Sequence, residues 1–280
     1  MAHEDAPVGN ESKTDGKPTL PNFTEEQPQS NEPALEMLQL AKVFGNTVAV
    51  ADMTLSIPTG SFYGIVGPNG AGKTTCLNMA TGLLKPDHGT ARICGIDMWT
   101  NQAEAKTKLG VMPDGMRLFN RLSGPALVTY MGMLRGLDKD VAQERADALV
   151  RALGLEEAQK KPVSDYSAGM TKKIALACSL VHGPRVLVLD EPFEAVDPIS
   201  AANIRDILSN FVNGGGTVVL SSHVMANVQK MCSHVAIINH GKVLTHGTTE
   251  EVSQGKDLDD VFTSLIGGVH HAEGLEWLQQ

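Results

Sequence analysis

A glycine-rich loop contains the residues of this chain best suited to chemistry. The sequence from 67 to 74 is GPNGAGKT, which fits the phosphate-binding pattern G-x-x-x-x-G-K-[S/T]. Glycines let successive backbone N–H groups point inward at phosphate oxygens, and the helix that starts near Gly72 directs its positive end at the same anion. The candidate phosphate-contacting residues are Gly67, Pro68, Asn69, Gly70, Ala71, Gly72, Lys73, Thr74 and Thr75.

The side chains at the end of this loop extend the chemistry from phosphate to a nucleotide with its metal. Lys73 adds a point charge for the β- and γ-phosphates, the Thr74 hydroxyl is a Mg²⁺ ligand, and Thr75 can reach the α-phosphate. The apolar run 61–66 suits a buried strand and 73–79 can continue as a helix. Strand, loop and helix is the order that the pattern requires, although a glycine-rich turn can match by chance.

A second candidate site lies where an apolar run ends in two acids. The sequence 185–191 is RVLVLDE, in which a short buried strand leads into Asp190 and Glu191. Asp190 can hold Mg²⁺ through water, and Glu191 is placed to orient and deprotonate an attacking water. The alternative is two ordinary acids in a turn after a strand. Beside a phosphate loop, however, the pair predicts ATP hydrolysis.

A third motif identifies a family. The sequence 166–170 is YSAGM, about twenty residues before Asp190, with a helix between them. It resembles the signature motif of ABC ATPases, whose commonest form is LSGGQ. The form Y-S-x-G-M is familiar from ATPase subunits of bacterial export-type ABC transporters. The resemblance covers most of the chain, from about Leu35 to Gly247.

The resemblance implies an α/β fold, that of a P-loop NTPase of the ABC type. Such a protein has a mainly parallel sheet core, an antiparallel β subdomain and an inserted helical subdomain. We expect a disordered acidic tail over 1–33, because this stretch is rich in proline and acids and poor in large apolar residues. The ABC ATPase domain is expected over 34–250 with its helical insertion at about 115–182, followed by a C-terminal helix and tail over 251–280.

Further site residues follow from the resemblance, position by position. Phe44 lies where an aromatic ring stacks on adenine, although a lone phenylalanine after a strand is as often part of the core. Ser167 and Gly169 match signature residues that touch the γ-phosphate. Asp197 matches the D-loop, which crosses a dimer interface, and His223 matches the switch histidine at the γ-phosphate. Together with Lys73 and Glu191, His223 forms the expected catalytic set.

The sequence departs from the family pattern in three places. Asp114 stands where the Q-loop usually has glutamine. Its carboxylate can accept a hydrogen bond from Mg²⁺-bound water but cannot donate one as an amide does, so we keep it as a candidate nucleotide and metal contact. Ala168 and Met170 replace the usual glycine and glutamine of the signature, and Glu194 replaces a D-loop serine.

The resemblance also implies partners. The family works as a head-to-tail pair of ATPase subunits, homodimeric or heterodimeric, in which each ATP lies between 67–75 of one subunit and 167–169 of the other. A separate integral membrane permease subunit would dock around Asp114 and the helical insertion, which places the chain in the cytoplasm at the inner face of the membrane. The cofactors implied are ATP and Mg²⁺. The function implied is to power export of a substrate that the sequence does not specify.

A non-transport ABC ATPase is the alternative, acting as a soluble regulatory or ribosome-associated factor. The composition weighs on this choice. The formal net charge is −9, of which the seven acids and two lysines of residues 1–34 contribute −5. An acidic body without a stripe of lysine and arginine argues against nucleic acid as a partner. The ribosome-associated type usually carries two ATPase cassettes with basic linkers, whereas this sequence has one cassette and is acidic.

Cysteine spacing and hydropathy exclude further classes. The four cysteines have no C-x-x-C spacing and lie in apolar segments, so we expect reduced core thiols. No stretch approaches the roughly 18 apolar residues of a membrane-spanning helix, and the polar N-terminus does not resemble a secretory signal. We therefore expect a chain that does not itself cross a membrane.

Hydrophobic periodicity predicts an α/β framework with helices inserted between two strands. From about 118 to 181 the pattern is helical, and the helix 141–153 carries apolar residues at i, i+3, i+4 and i+7 spacing. A short helix is predicted over 250–265. The predicted strands are 35–40, 47–57, 61–66, 89–94, 109–112, 186–189, 217–220 and 235–238, and the other predicted helices are 198–211 and 224–231.

Overall fold

Ten strands make up the framework of the computed structural model, which describes residues 32–266. They hydrogen-bond into one sheet in the order β5-β4-β1-β2-β10-β9-β3-β8-β7-β6, with bounds as follows. The strands are β1 (Leu35–Phe44), β2 (Thr47–Ile57), β3 (Phe62–Val66), β4 (His88–Ile93), β5 (Ile96–Asp97), β6 (Leu109–Met112), β7 (Val186–Leu189), β8 (Thr217–Ser222), β9 (His234–Asn239) and β10 (Lys242–Thr248).

One half of the sheet is antiparallel. Strand β1 pairs with β2 on one side and with β4 on the other, and β4 pairs with β5. The sequence predicted that β1 ends at Leu40, but the strand continues to Phe44 through a bulge at Gln39, whose φ is +54°. The bulge shifts the register between Met37 and Leu40, and the strand resumes its pairing with β2 beyond it.

The other half is mainly parallel. Strand β3 lies between β8 and β9, and β8, β7 and β6 follow in parallel order. Both β3 and β7 are buried along their whole length, as expected for strands covered on both faces. Strand β10 connects the halves, since it pairs antiparallel with β9 and contacts β2 through the Lys242–Asp52 pair. The predicted fold class, a mainly parallel core with an antiparallel β subdomain and inserted helices, is confirmed.

Nine α-helices in the described part of the chain cover the sheet. Three of them lie between β6 and β7, where the sequence is helical over most of the connection. The helices are α1 (Lys73–Ala80), α2 (Gln102–Thr107), α3 (Gly124–Leu134), α4 (Lys139–Ala152), α5 (Ala168–Leu180), α6 (Pro198–Asn213), α7 (Met225–Met231), α8 (Thr249–Ser253) and α9 (Leu258–Ile266). On α4 the apolar stripe predicted from spacing is the buried face, at Ala146, Leu149 and Val150.

The core is divided between the two faces of the sheet, and β3 shows how. Phe62 and Val66 pack into the cluster that the helical insertion covers, whereas Tyr63 and Ile65 pack into the cluster beneath α1 and the antiparallel strands. Such alternation is the two-residue period of a strand buried on both sides. Cys76 lies in the second cluster, where burial raises the pKa of its thiol to about 12, and within residues 32–266 all four cysteines are free thiols, as expected.

The C-terminal end of the described chain differs from its prediction. A single helix over 250–265 is wrong, because α8 and α9 are separate helices. Gln254 and Gly255 break the run with φ values of +49° and +77°. The helix break has a local signal in the glycine, since left-handed φ angles end helices. Residues 1–31 and 267–280, with most of the predicted acidic tail and the C-terminal tail, lie outside the described residues.

Strands β5 and β10 and helix α2 are absent from the sequence-based prediction. Two of these elements are short, and β10 has a charged, half-exposed pattern instead of a clear apolar alternation. None of the helices within 32–266 is both long and apolar enough to span a bilayer.

Candidate functional site

The predicted site residues follow strands whose carboxyl ends lie at one edge of the sheet. Val66, the last residue of β3, pairs with Ser222 of β8, and Leu189 of β7 pairs with Met112 of β6. The residues that come next in each chain segment are therefore neighbours in space. In open α/β sheets, this carboxyl edge is where ligands bind.

The glycine-rich loop has the backbone shape that its sequence predicted. Gly70 and Gly72 have φ values of +79° and +100°, and Gly72 caps the start of α1. A Cβ atom at Gly67 would lie 2.3 Å from the carbonyl oxygen of Ile238, so a larger residue has no room there. The loop residues exposed in whole or in part are Pro68, Asn69, Gly70, Gly72, Thr74 and Thr75, whereas Ala71 is buried.

Lys73 extends back across the loop instead of into solvent. Its side chain is only 7% exposed, and its Nζ donates to the carbonyl oxygens of Gly67, at 2.8 Å, and Pro68, at 3.3 Å. The same ammonium lies 3.6 Å from Oε1 of Glu191. The loop and the strand end carrying the acids therefore meet at one buried positive charge.

Asp190 is held by a residue that the sequence analysis did not select. Its backbone N–H donates to the Met112 carbonyl oxygen at 2.9 Å, and its Oδ1 accepts a hydrogen bond from the Ser221 hydroxyl. Ser221 Oγ also accepts from the backbone N–H of Glu191 at 2.9 Å. Ser221 thus fixes both acids. Ser221 lies on β8, in parallel register with β7, so strand pairing and not local spacing brings it to the two acids.

Glu191 lies between two candidate catalytic side chains. Its Oε1 faces Lys73, and its Oε2 lies 3.1 Å from Nδ1 of His223. The carboxylate is 14% exposed and the imidazole 42% exposed, so the arrangement opens towards solvent from the histidine side. The backbone of Glu191 has φ +47°, a left-handed conformation that costs a non-glycine residue about 1–2 kcal/mol. A carboxylate held in this way can accept a proton from a water molecule.

The residues present fit a nucleotide with Mg²⁺. Asp190 is buried, and among the described residues its Oδ2 has no hydrogen-bond partner, which leaves one carboxylate oxygen for a metal-bound water. No three His, Cys, Asp or Glu residues within 32–266 form a metal cluster. Mg²⁺ suits a site with so few protein ligands, because it keeps several waters and takes one or two protein oxygens plus phosphates. Thr74 and Asp190 would hold it.

Asp114 does not lie free beside this acid pair. Its Oδ1 is 3.7 Å from Nζ of Lys172 on α5, and half of its side chain is exposed. Asp114 and Lys172 also line a cavity of about 400 Å³, together with residues of the 113–116 segment and Glu194. Lys172 is not among the residues predicted from the sequence, because its contact with Asp114 joins two segments that are far apart in the chain.

Ser167, Gly169 and Asp197 form a second surface. Ser167 caps α5 by accepting a hydrogen bond from Met170 N–H at 3.3 Å, and Asp197 caps α6 through Ile199 N–H and Ser200 N–H. The hydrogen bonds at Ser200 lower the pKa of the Asp197 carboxyl. A Cβ atom at Gly169 would lie 3.8 Å from Asp197 Oδ2.

These signature and D-loop residues are adjacent to each other rather than to the phosphate loop. Within residues 32–266, no hydrogen bond joins Ser167, Gly169 or Asp197 to the 67–75 loop. The structure thus brings the predicted site residues together in two groups.

Phe44 lies at the end of the β1–β2 hairpin. Its ring is 50% exposed, so it is not a core residue, and the ammonium of Lys42 lies 5.7 Å from the ring centroid. The hairpin contacts the loop further along, since a Cβ atom at Gly72 would lie 2.7 Å from the carbonyl oxygen of Ala49. Phe44 therefore offers an accessible aromatic face on an element that touches the loop.

Comparison with known proteins assigns the family. A family profile described as ABC transporter matches residues 50–194. The daunorubicin/doxorubicin resistance ATP-binding protein DrrA of Streptomyces peucetius is 36% identical over 78% of this chain and 66% of its own length. The ABC transporter ATP-binding protein NatA of Bacillus subtilis is 34% identical over 79% of this chain and 92% of its own length.

Solved structures agree with the fold. A structure titled as the ATP binding subunit of an ABC transporter superposes with a TM-score of 0.78 at 24% identity, over 83% of this chain and 99% of that one. The cbiO1 subunit of an ABC transporter complex from Clostridium perfringens has a TM-score of 0.70 at 27% identity, over 81% and 93%. The chain therefore belongs to the ATP-binding ATPase family of ABC transporters.

Proposed function

We propose that this chain hydrolyses ATP with Mg²⁺ and thereby powers an exporter whose membrane-spanning part is a separate subunit. The observation that carries the proposal is the Glu191 carboxylate, held between Lys73 and His223 beside a buried aspartate with one free oxygen. A lysine at the end of a phosphate loop, with two carboxylates and a histidine brought beside it, supplies the charges and the base that hydrolysis of a phosphoanhydride needs.

The chain's own residues would divide the work as follows. ATP with Mg²⁺ supplies the phosphoanhydride bond and a charge that offsets the phosphates. Lys73 and the N–H groups of the loop position the anion, and Glu191 orients a water and accepts its proton. His223 holds Glu191 and approaches the terminal phosphate from the exposed side. Phosphoryl transfer asks for positioning and charge, and little covalent chemistry from the protein.

Two copies would be needed to complete each site. Ser167 and Gly169 lie with Asp197 on a surface separate from the loop, at the N-terminus of a 13-residue helix. Backbone N–H groups at such a helix start suit a terminal phosphate. We propose a head-to-tail dimer in which these residues face the loop of the partner, with Phe44 against adenine.

The transport role rests on the relatives. Several of the relatives are named for resistance to daunorubicin, doxorubicin or linearmycin. We propose that the exported molecule is a compound of this general type, and that the permease subunit docks at the cavity beside Asp114, which holds the chain at the inner face of the membrane. None of these relatives is named as a soluble or ribosome-associated factor.

The activity is tested by phosphate release from purified chain. We expect Mg²⁺-dependent hydrolysis that EDTA abolishes and that rises more steeply than linearly with protein concentration, because the active species is a dimer. Lys73→Ala should weaken ATP binding, measured by calorimetry, because its ammonium would no longer face the phosphates. Unchanged ATP affinity in that variant would contradict the assignment of the loop.

The transport role is tested separately from the activity. The chain should co-purify from detergent extract with one integral membrane protein, and the reconstituted pair should move a fluorescent anthracycline into inverted vesicles when ATP is supplied. Uptake with ATP but not with Glu191→Gln protein would support the export role. An active ATPase that remains in ribosomal or soluble fractions without a membrane partner would refute it.

A further inference from the structure

Lys172 makes two contacts that link three elements of the site. It lies on the second turn of α5, five residues after Ser167. Its Nζ donates to the backbone carbonyl oxygen of Glu191 at 2.9 Å and lies 3.7 Å from Oδ1 of Asp114. The ammonium therefore bridges the segment after β6, the segment after β7 and the helix that carries the signature.

The bond to Glu191 falls where the backbone needs support. Glu191 has a φ of +47°, a conformation that side-chain-bearing residues adopt only when the surroundings hold it. Its N–H is held by Ser221 and its carbonyl oxygen by Lys172. The peptide groups on both sides of the Glu191 Cα are therefore held, and from this backbone the carboxylate reaches Lys73 and His223.

The contact with Asp114 accounts for an acid at this position. An unpaired carboxylate near bound phosphates would repel them. At 3.7 Å from an ammonium, Asp114 is charge-compensated, and its attraction keeps Lys172 near the Glu191 carbonyl oxygen. The side chains are 20% and 50% exposed, so the pair adds little to stability by itself, and its effect is on geometry.

We propose that Lys172 is a positioning residue for ATP hydrolysis, held by Asp114, that keeps the general base Glu191 aligned. The inference rests on the proposed function, because it concerns the same reaction. Lys172 acts through the backbone of Glu191, to whose carbonyl oxygen it donates. Asp114 also lines the cavity at which a permease subunit would dock. A movement of Asp114 would therefore be transmitted to Glu191 through the side chain of Lys172.

The test compares steady-state ATPase kinetics of single variants with the wild type. Lys172→Met should lower kcat about tenfold, the loss expected for one hydrogen bond from a charged donor, and leave KM for ATP within about twofold. Lys172→Arg should restore most of kcat, because a guanidinium still donates to the carbonyl oxygen. Lys161→Met, at an exposed lysine of the same helical insertion, is the matched control and should behave as wild type.

A double-mutant cycle tests the role of Asp114. Asp114→Ala should lower kcat less than Lys172→Met, and the combined variant should be no slower than Lys172→Met alone, because both changes release the same ammonium. If Lys172→Met does not fold, Asp114→Ala tests the proposal in its place, because the Asp114 side chain is half exposed and its loss should leave folding intact.

Three outcomes are distinguishable. Inactive wild-type protein would refute the proposed function itself. Active wild type with unchanged kcat in Lys172→Met would refute the positioning role alone. Additive losses of kcat in the double-mutant cycle would also overturn it. So would a Lys172→Met protein whose KM and kcat change equally and whose lowered melting temperature is not restored in Lys172→Arg.

Discussion

At the scale of single residues, the site depends on how one carboxylate is surrounded. Glu191 faces an ammonium on one side and an imidazole on the other, and its backbone is fixed by a hydroxyl and a lysine. Each of these contacts restricts orientation, and a base must be within hydrogen-bond reach of the water it deprotonates. A substitution that removes the negative charge of Glu191 and keeps the shape of its side chain therefore separates the effect on hydrolysis from the effect on ATP binding.

Glu191→Gln should bind ATP as tightly as the wild type and lose turnover. An amide cannot accept the proton, and loss of a general base costs typically about 10²–10⁴-fold in rate. Single-turnover phosphate release and calorimetric ATP titration measure the two quantities separately. Hydrolysis within about twofold of wild type would show that another group is the base.

At the scale of elements, helix α5 is anchored to the sheet at both ends. Near its N-terminus Lys172 reaches the segment after β7, and just beyond its C-terminus His182 Nε2 lies 3.1 Å from the Leu109 carbonyl oxygen of β6. Burial, with the nearby Arg135 and Arg145 guanidinium groups, lowers the pKa of His182 to about 4. Protonation of this histidine therefore opposes the native packing of the helix.

The stability of the protein should fall with acid in a way that His182 controls. The unfolded histidine has a pKa near 6.5 and the folded one about 4, so the unfolded chain binds more protons between these values. The contribution of neutral His182 to the free energy of unfolding is present above pH 7 and declines as pH falls. Between pH 7 and pH 5 the free energy of unfolding decreases by about 2 kcal/mol.

Urea unfolding at pH 7 and pH 5 measures this loss. His182→Gln keeps a donor for the Leu109 carbonyl oxygen but does not titrate, so it should lose less stability over the interval than the wild type. Other titrating groups are common to both proteins and cancel in the comparison. An identical pH dependence in the two proteins would exclude His182 as the cause.

How far the elements could be predicted depended on whether their signal is local. Strand β7 and the loop before α1 have their information in consecutive residues, a run of four apolar side chains or glycines at fixed spacing. Strand β10 was missed because apolar and polar side chains do not alternate clearly along it. It pairs with β9 through a two-residue turn, His240–Gly241, in which both residues have the positive φ that such hairpin turns require.

Site residues that depend on tertiary contacts were not predictable in the same way. Ser221 and Lys172 reach Glu191 across 30 and 19 positions of sequence, through strand register in one case and helix placement in the other. Neither residue type is unusual in its place, so spacing alone gives no reason to select it. Asp114 shows the same limit, since the sequence raised it as a metal contact without revealing its lysine neighbour.

At the scale of the whole molecule, the two groups of site residues make a prediction about assembly. The phosphate loop with its acids is one group, and Ser167, Gly169 and Asp197 are the other, with no hydrogen bond between the groups within the described residues. If each ATP is enclosed by one group from each of two copies, defects in different groups should complement each other.

Mixing two inactive variants tests this directly. Lys73→Ala damages only the loop group, and Ser167→Arg damages only the signature group by filling the space of a terminal phosphate. In a head-to-tail dimer of one copy of each, one site takes its loop from the Ser167→Arg chain and its signature from the Lys73→Ala chain, and is intact. The other site carries both defects.

An equal mixture should recover about a quarter of the wild-type rate, because half of the dimers are mixed and each has one complete site. Mixed dimers held together by ATP should also appear by light scattering when both chains carry Glu191→Gln. As controls, each variant assayed alone at the same total concentration should stay inactive. If the mixture hydrolyses no faster than either variant alone and forms no mixed dimer, the sites are not shared between copies, and the loop and signature groups of one chain must close on each other instead.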